Sequence, residues 1–73
     1  MRIISQNGEY DIPYERVVLK RVRTAIKVYG AIDSKELEIA RYSNESKAEK
    51  AMEMCRNNSE STYFQFPRDE AML

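Results

Sequence analysis

Apolar residues fall along this chain in short runs separated by turn chemistry, a spacing that favours strands over long helices. Arg2-Ile3-Ile4-Ser5 is a β-branched run followed by Asn7-Gly8, a dipeptide suited to a type I′ hairpin because both positions tolerate positive φ. Glu9-Tyr10-Asp11-Ile12 reads as the return strand, ended by Pro13, which has no N–H to give to a ladder.

Two periods compete between Tyr14 and Ile32. Tyr14, Val18, Val22, Ala25 and Tyr29 fall at helical spacing, whereas Val17-Val18-Leu19 and Ala25-Ile26-Lys27-Val28-Tyr29 look like β runs. The density of β-branched residues favours strands, with Ile26, Val28, Gly30 and Ile32 on one face and Asp33-Ser34-Lys35 as a connecting turn; a helix stays open as the alternative. Glu36-Leu37-Glu38-Ile39 alternates as a half-buried antiparallel strand should, and the alternation slips at Ala40, where a bulge is expected.

Ser43 or Asn44 can cap a helix, Glu45 suits its positive end, and Ala48, Ala51, Met52 and Cys55 form one apolar face. Asn57-Asn58-Ser59 ends that helix, and Thr62-Tyr63-Phe64-Gln65-Phe66 reads as a last strand closed by Pro67. These elements predict a single α+β domain over residues 1–73: a small antiparallel sheet of about five or six short strands, with one amphipathic helix packed on one face. The tail from Arg68 to Leu73 is expected to be loosely ordered. The expected core is Ile3, Ile12, Val18, Val22, Ile26, Val28, Leu37, Ile39, Ala48, Ala51, Met52, Cys55, Phe64 and Phe66.

At 73 residues the chain has room for one small core, so self-association into a homodimer is a plausible source of extra stability. No apolar run approaches the ~20 residues of a membrane span, and the first residues hold no apolar segment of a signal peptide, so no membrane partner is expected. With one cysteine and no histidine there is neither a disulfide framework nor a recognisable zinc set, which fits a reducing, cytoplasmic setting.

The same absence of histidine removes the commonest general base and the usual Ser/His and Cys/His nucleophile pairs. Paired acids at Asp11 and Glu15, or at Asp69 and Glu70, are more simply solvated surface groups. Gly8 and Gly30 are the only glycines, too few for a phosphate-cradling loop. Cys55 falls late in the predicted helix, where the dipole disfavours a thiolate, so it reads as a small buried hydrophobe. No catalytic residue, metal ligand or cofactor site is expected, and the chain reads as a non-enzyme.

Twelve basic and twelve acidic residues cancel, so binding to nucleic acid would need a local patch. One candidate exists: Arg16, Lys20, Arg21, Arg23 and Lys27 lie in a stretch without an acid. On strands, Arg21 and Arg23 share one face and Lys20 the other, which splits the charge; about three or four phosphate contacts remain conceivable. The competing reading is a strand edge whose cations deter aggregation. Tyr14 beside Arg16, and Tyr63 near Arg68, suit the rim of a protein interface or a base-stacking surface equally.

The conjunction of Met1-Arg2-Ile3-Ile4-Ser5-Gln6-Asn7-Gly8, Asp11-Ile12-Pro13-Tyr14-Glu15, Ala40-Arg41-Tyr42-Ser43 with Lys47 to Met54, and Phe64-Gln65-Phe66-Pro67 before Asp69-Glu70 resembles a set of small uncharacterised proteins. Those proteins belong to phages, prophages and other mobile elements of Gram-positive bacteria. The resemblance leaves about residues 16 to 38, and so the basic block, unmatched. It implies a genomic context and a shared scaffold rather than a mechanism.

The leading expectation is therefore a non-enzymatic phage or prophage accessory protein that binds a host or phage protein stoichiometrically, a mode that suits an anti-defence role. The alternative is a binder of nucleic acid or of a phosphorylated small molecule. The candidate binding surface in either case is Tyr14, Arg16, Lys20, Arg21, Arg23 and Lys27.

Overall fold

β1 (Arg2–Ile4) and β2 (Asp11–Pro13) form the expected N-terminal hairpin, with Ile3 opposite Ile12. The computed structural model describes residues 1–30 and 35–72, and the turn between these strands is not the expected type I′. Only Gly8 takes a positive φ there, 77°. Asn7 acts through its side chain instead: Oδ1 accepts from the Ser5 hydroxyl at 2.6 Å and from the Glu9 amide at 3.0 Å. The longer loop closes where the Ser5 amide donates to the Tyr10 carbonyl and the Tyr10 amide donates to Ser5 Oγ. With those partners Ser5 can be buried at little cost.

A 3-10 turn at Tyr14–Arg16 leads into β3 (Val18–Val22), followed by β4 (Ala25–Tyr29) and β5 (Leu37–Arg41). The ambiguous middle is thus strand, in line with its β-branched content. Arg23 and Thr24 make a tight turn between β3 and β4, with Arg23 at φ 57°. The expected face position at Ile32 and the turn residues Asp33-Ser34 lie outside the described residues. The β4–β5 ladder pairs Ile26 with Ala40 and then Lys27 with Glu38, leaving Ile39 without an opposite number. This irregularity lies beside the expected slip at Ala40, and it allows the consecutive residues Ile39 and Ala40 both to be buried.

The strands do not join in one antiparallel sheet as expected. β3-β4-β5 is an antiparallel meander, whereas the other sheet has the order β2-β1-β6, with β6 at Tyr63–Gln65. In that second sheet β1 pairs antiparallel with β2 and parallel with β6. A parallel pair needs a long crossover, and here the meander and the helix supply it.

α1 (Glu45–Asn57) has the predicted boundaries because its ends are capped as the sequence suggests. Asn44 Oδ1 accepts from the Lys47 amide at 2.8 Å, and Asn58 Nδ2 donates to the Met54 carbonyl at 2.7 Å. Its buried residues Ala48, Ala51 and Cys55 belong to one hydrophobic cluster with Ile3, Ile12, Ile26, Val28, Ile39, Phe64 and Phe66. The two phenylalanines meet edge to face, with centroids 5.2 Å apart. Tyr63 and Gln65 point outward, as alternation predicts.

Burial departs from expectation mainly on β3. Val18 and Val22 are 64% and 37% exposed rather than core, and Leu19 is the residue turned inward. The cause is parity: a shift of one residue exchanges the two faces of a strand. Leu37 and Met52 are half-buried, while Ala25, Ala40, Tyr42 and Met72 complete the core.

The tail also departs from the loose order expected of it. Asp69–Ala71 form a 3-10 turn, and Met72 is buried in the main cluster. Polar contacts hold it: the Tyr42 hydroxyl donates to the Pro67 carbonyl at 2.7 Å, Gln6 Nε2 to the same carbonyl at 3.1 Å, and the Ser43 amide to Asp69 Oδ1 at 2.8 Å, while Lys47 Nζ reaches the Asp69 carbonyl at 3.4 Å. No described helix is long and apolar enough to cross a membrane.

Candidate functional site

The six residues of the predicted binding surface do not gather into one patch. Their places follow from the β3–β4 ladder, in which Lys20 stands opposite Lys27, Arg21 opposite Ile26 and Leu19 opposite Val28. Ile26 and Val28 are core, so Arg21 and Leu19 share the inner side, and Lys20 and Lys27 the outer.

On the outer side Lys27 is paired with Glu36, whose carboxylate also accepts from the Tyr29 hydroxyl at 3.1 Å. That contact with Glu36 raises the Lys27 pKa and lowers that of Glu36. Lys20, directly opposite Lys27, lies over the Tyr29 ring, 6.0 Å from its centroid. On the inner side Arg21 approaches Glu49 of α1 at 3.5 Å and donates from Nη1 to the Arg23 carbonyl at 2.9 Å. Arg23 sits in the hairpin turn rather than on a strand face, and Arg16 ends the 3-10 turn. Neither Arg16, Lys20 nor Arg23 forms a salt bridge among the described residues.

Tyr14 contributes to a different feature. With Val17, Leu19, Met52, Cys55 and Arg56 it lines a cleft of about 420 Å³ between β3 and α1. A second hollow of about 290 Å³, lined by Arg21, Glu49, Met52, Glu53 and Arg56, shares Met52 and Arg56 with the first and extends it along the helix. Sequence reading missed Val17, Leu19 and Arg56 as candidates, and it favoured core packing for Met52 and Cys55. The alternation of Val17, Leu19 and Arg21 was the available signal, masked by the helical spacing of Val18 and Val22.

Cys55 is buried at the cleft floor, and burial pushes its thiol up to about 11, so it serves the cleft as a small apolar side chain. The candidate acids are held elsewhere. Asp11 bonds to Arg2 at 2.7 Å, Glu15 to the terminal amine at 2.7 Å, and Asp69 to the Ser43 amide with Lys47 nearby at 3.5 Å. Those contacts lower the pKa of Glu15 and of Asp69.

A polar depression of about 380 Å³ lies beside the tail, lined by Gln6, Asn7, Arg41, Arg68, Asp69 and Glu70. Most of its groups are already engaged: Gln6 with the Arg41 and Pro67 backbone, Arg41 with Glu38, and Asp69 with Ser43. The β3–α1 cleft, lined by Val17, Leu19, Met52 and Cys55 with exposed Arg56 beside them and the Arg21–Glu49 pair along its extension, is therefore the better candidate for binding. No family model, curated protein or solved structure matches this chain.

Proposed function

We propose that the chain is a non-enzymatic, cytoplasmic accessory protein of phage or prophage type that acts by stoichiometric binding to a host or phage protein, in an anti-defence role. The phage context rests on the resemblance of the N-terminal hairpin, the Ala40–Ser43 join and the Phe64–Pro67 segment described above. The observation that carries the binding mode is the open cleft between β3 and α1, with half-buried Leu19 and Met52 inside it. Apolar surface of this kind, rimmed by arginine, is characteristic of the centre of protein interfaces.

The dispersal of the basic block weighs against binding of nucleic acid or of a phosphorylated small molecule. Arg21 and Lys27 are held by Glu49 and Glu36, and the remaining three cations occupy a turn, a strand face and a hairpin tip. Such an arrangement gives few simultaneous phosphate contacts.

Affinity capture from a Gram-positive host lysate tests the reading, using the wild-type chain and Met52→Glu in parallel. The expected result is a partner held at one-to-one stoichiometry by light scattering, stable in moderate salt and lost with Met52→Glu. A complex that disappears on nuclease treatment, with log affinity falling linearly in log salt, would replace it with the nucleic-acid reading.

A further inference from the structure

Among the described residues β3 is the outermost strand of its sheet and pairs with β4 alone. The tight Arg23-Thr24 turn makes Val22 and Ala25 a hydrogen-bonded pair, and alternation does the same for Lys20 with Lys27 and Val18 with Tyr29. The N–H and C=O groups of Leu19 and Arg21 therefore face the open edge. The cleft lies on the inner side of the same strand, beside Leu19. A strand added at this edge would place alternate side chains over the cleft and the others beside Lys20.

We propose that the free edge of β3 docks an extended acidic segment of a partner protein, whose backbone pairs with Leu19 and Arg21 and whose alternate apolar side chains enter the β3–α1 cleft. The inference rests on the protein-binding reading above and names the class of segment recognised. Charge selects this occupant. Lys20 on the strand and Arg16 before it form no salt bridge among the described residues, β3 itself holds no acid, and Arg56 adds a cation beside the cleft, where Glu49 is already engaged by Arg21. A second copy pairing antiparallel through β3 would set Lys20 against Lys20 in the register centred on Lys20, or Arg21 against Arg21 in the one centred on Arg21, and like-charge cross-strand pairs are penalised. An acidic side chain of the added strand, on the outer side, turns the Lys20 position into an attractive pair.

The test uses the full chain and an end-blocked, dye-labelled peptide, Glu-Val-Asp-Leu-Glu-Val-Asp, with Lys-Val-Lys-Leu-Lys-Val-Lys as its charge-reversed control. The expected result is saturable binding of the acidic peptide alone. Amide exchange should slow at Leu19 and Arg21 but hardly at Lys20 and Val22, which β4 already protects. Lys20→Glu should weaken acidic-peptide binding about fivefold and strengthen binding of the basic peptide. Its fold is checked by thermal melting, which should be unchanged or raised because Lys20 faces Lys27.

Failure to bind, binding without protection of Leu19 and Arg21, or indifference to Lys20→Glu would overturn the proposal. So would a dimer in which those two amides are protected without peptide, which gives the edge to a second copy. Displacement of the peptide by an oligonucleotide pool that protects no β3 amide would give it to nucleic acid. If the peptide fails while the chain still captures a stoichiometric protein partner unaffected by Lys20→Glu, the β3 assignment falls and the protein-binding function stands. If neither complex forms, both fall.

Discussion

The Gln6 amide donates to the Ile39 carbonyl at 2.8 Å, joining the loop of the N-terminal hairpin to the bulge of β5 and so one sheet to the other. The Gln6 side chain strengthens the joint. Nε2 donates to the carbonyls of Arg41 (3.0 Å) and Pro67 (3.1 Å), and Oε1 accepts from the Arg41 amide at 3.0 Å. A half-buried carboxamide that matches two acceptors and one donor is hard to replace.

Gln6→Leu removes all three bonds and leaves backbone groups short of partners, at an expected cost of about 2 kcal/mol in urea unfolding. Gln6→Glu should cost more. It keeps an acceptor for the Arg41 amide but sets a carboxylate against two carbonyl oxygens. If Gln6→Glu proves the milder change, the joint is not the assigned hydrogen-bond set.

The ordered tail makes its own prediction. Met72 is 3% exposed and packs in the main cluster, so Met72→Ala should lower stability by about 2–3 kcal/mol. A loose tail would give almost no change, so equilibrium unfolding of this variant separates the two pictures.

Arg23 holds a left-handed backbone, φ 57°, that favours glycine. Arg23→Gly should raise stability by about 0.5–1 kcal/mol, measured as a shift in urea midpoint at constant slope. It should leave acidic-peptide affinity nearly unchanged, because Arg23 lies at the hairpin tip beyond the paired edge.

Acid should weaken the fold, and the sign follows from the carboxylates. The Ser43 amide, with Lys47 behind it, lowers the Asp69 pKa, and the Lys27 and Tyr29 contacts lower that of Glu36. A lowered pKa gives stability that is present above the usual carboxylate range and is lost as pH falls through the folded-state value. A melting series from neutral to strongly acid pH should therefore show Tm falling once these groups protonate. Asp69→Asn should flatten part of that fall.

Alkaline chemistry reports on the cleft floor. With the Cys55 thiol pushed up to about 11 by burial, alkylation near pH 8 should run at least roughly a hundredfold slower in the native chain than in urea. Because burial raises this pKa, the associated stability is complete below the unfolded thiol's value and is lost as pH rises through about 11. Rapid native labelling would mean that the cleft opens to its floor.

Much of the fold was legible locally. The Asn44 cap and the run of Ala48, Ala51 and Cys55 defined α1, and the β-branched density of the middle favoured strands. Two features were not legible, because neither is local. The parallel partnership of Ile3 with Phe64 joins residues at opposite ends of the described chain. The face taken by Val18 depends on where β3 starts after the 3-10 turn, and a one-residue difference reverses it. The candidate site inherited that error. The cations were identified by sequence, but the turn of Arg21 toward Glu49 and of Lys20 to the other side depends on β3 parity, and so does the cleft that Leu19 opens.

The parallel pairing of β1 with β6 also sets an order of events during synthesis. β3, β4 and β5 are neighbours in sequence and can assemble as they leave the ribosome, since their contacts close short loops. β1 is made before them, yet it is the middle strand of its sheet and one of its two edges is completed only by Tyr63–Gln65. Until those residues emerge, the nascent chain holds Ile3 and its neighbours with half a sheet, an unsatisfied edge open to chaperones or to a premature partner. β6 is therefore the strand that commits β1.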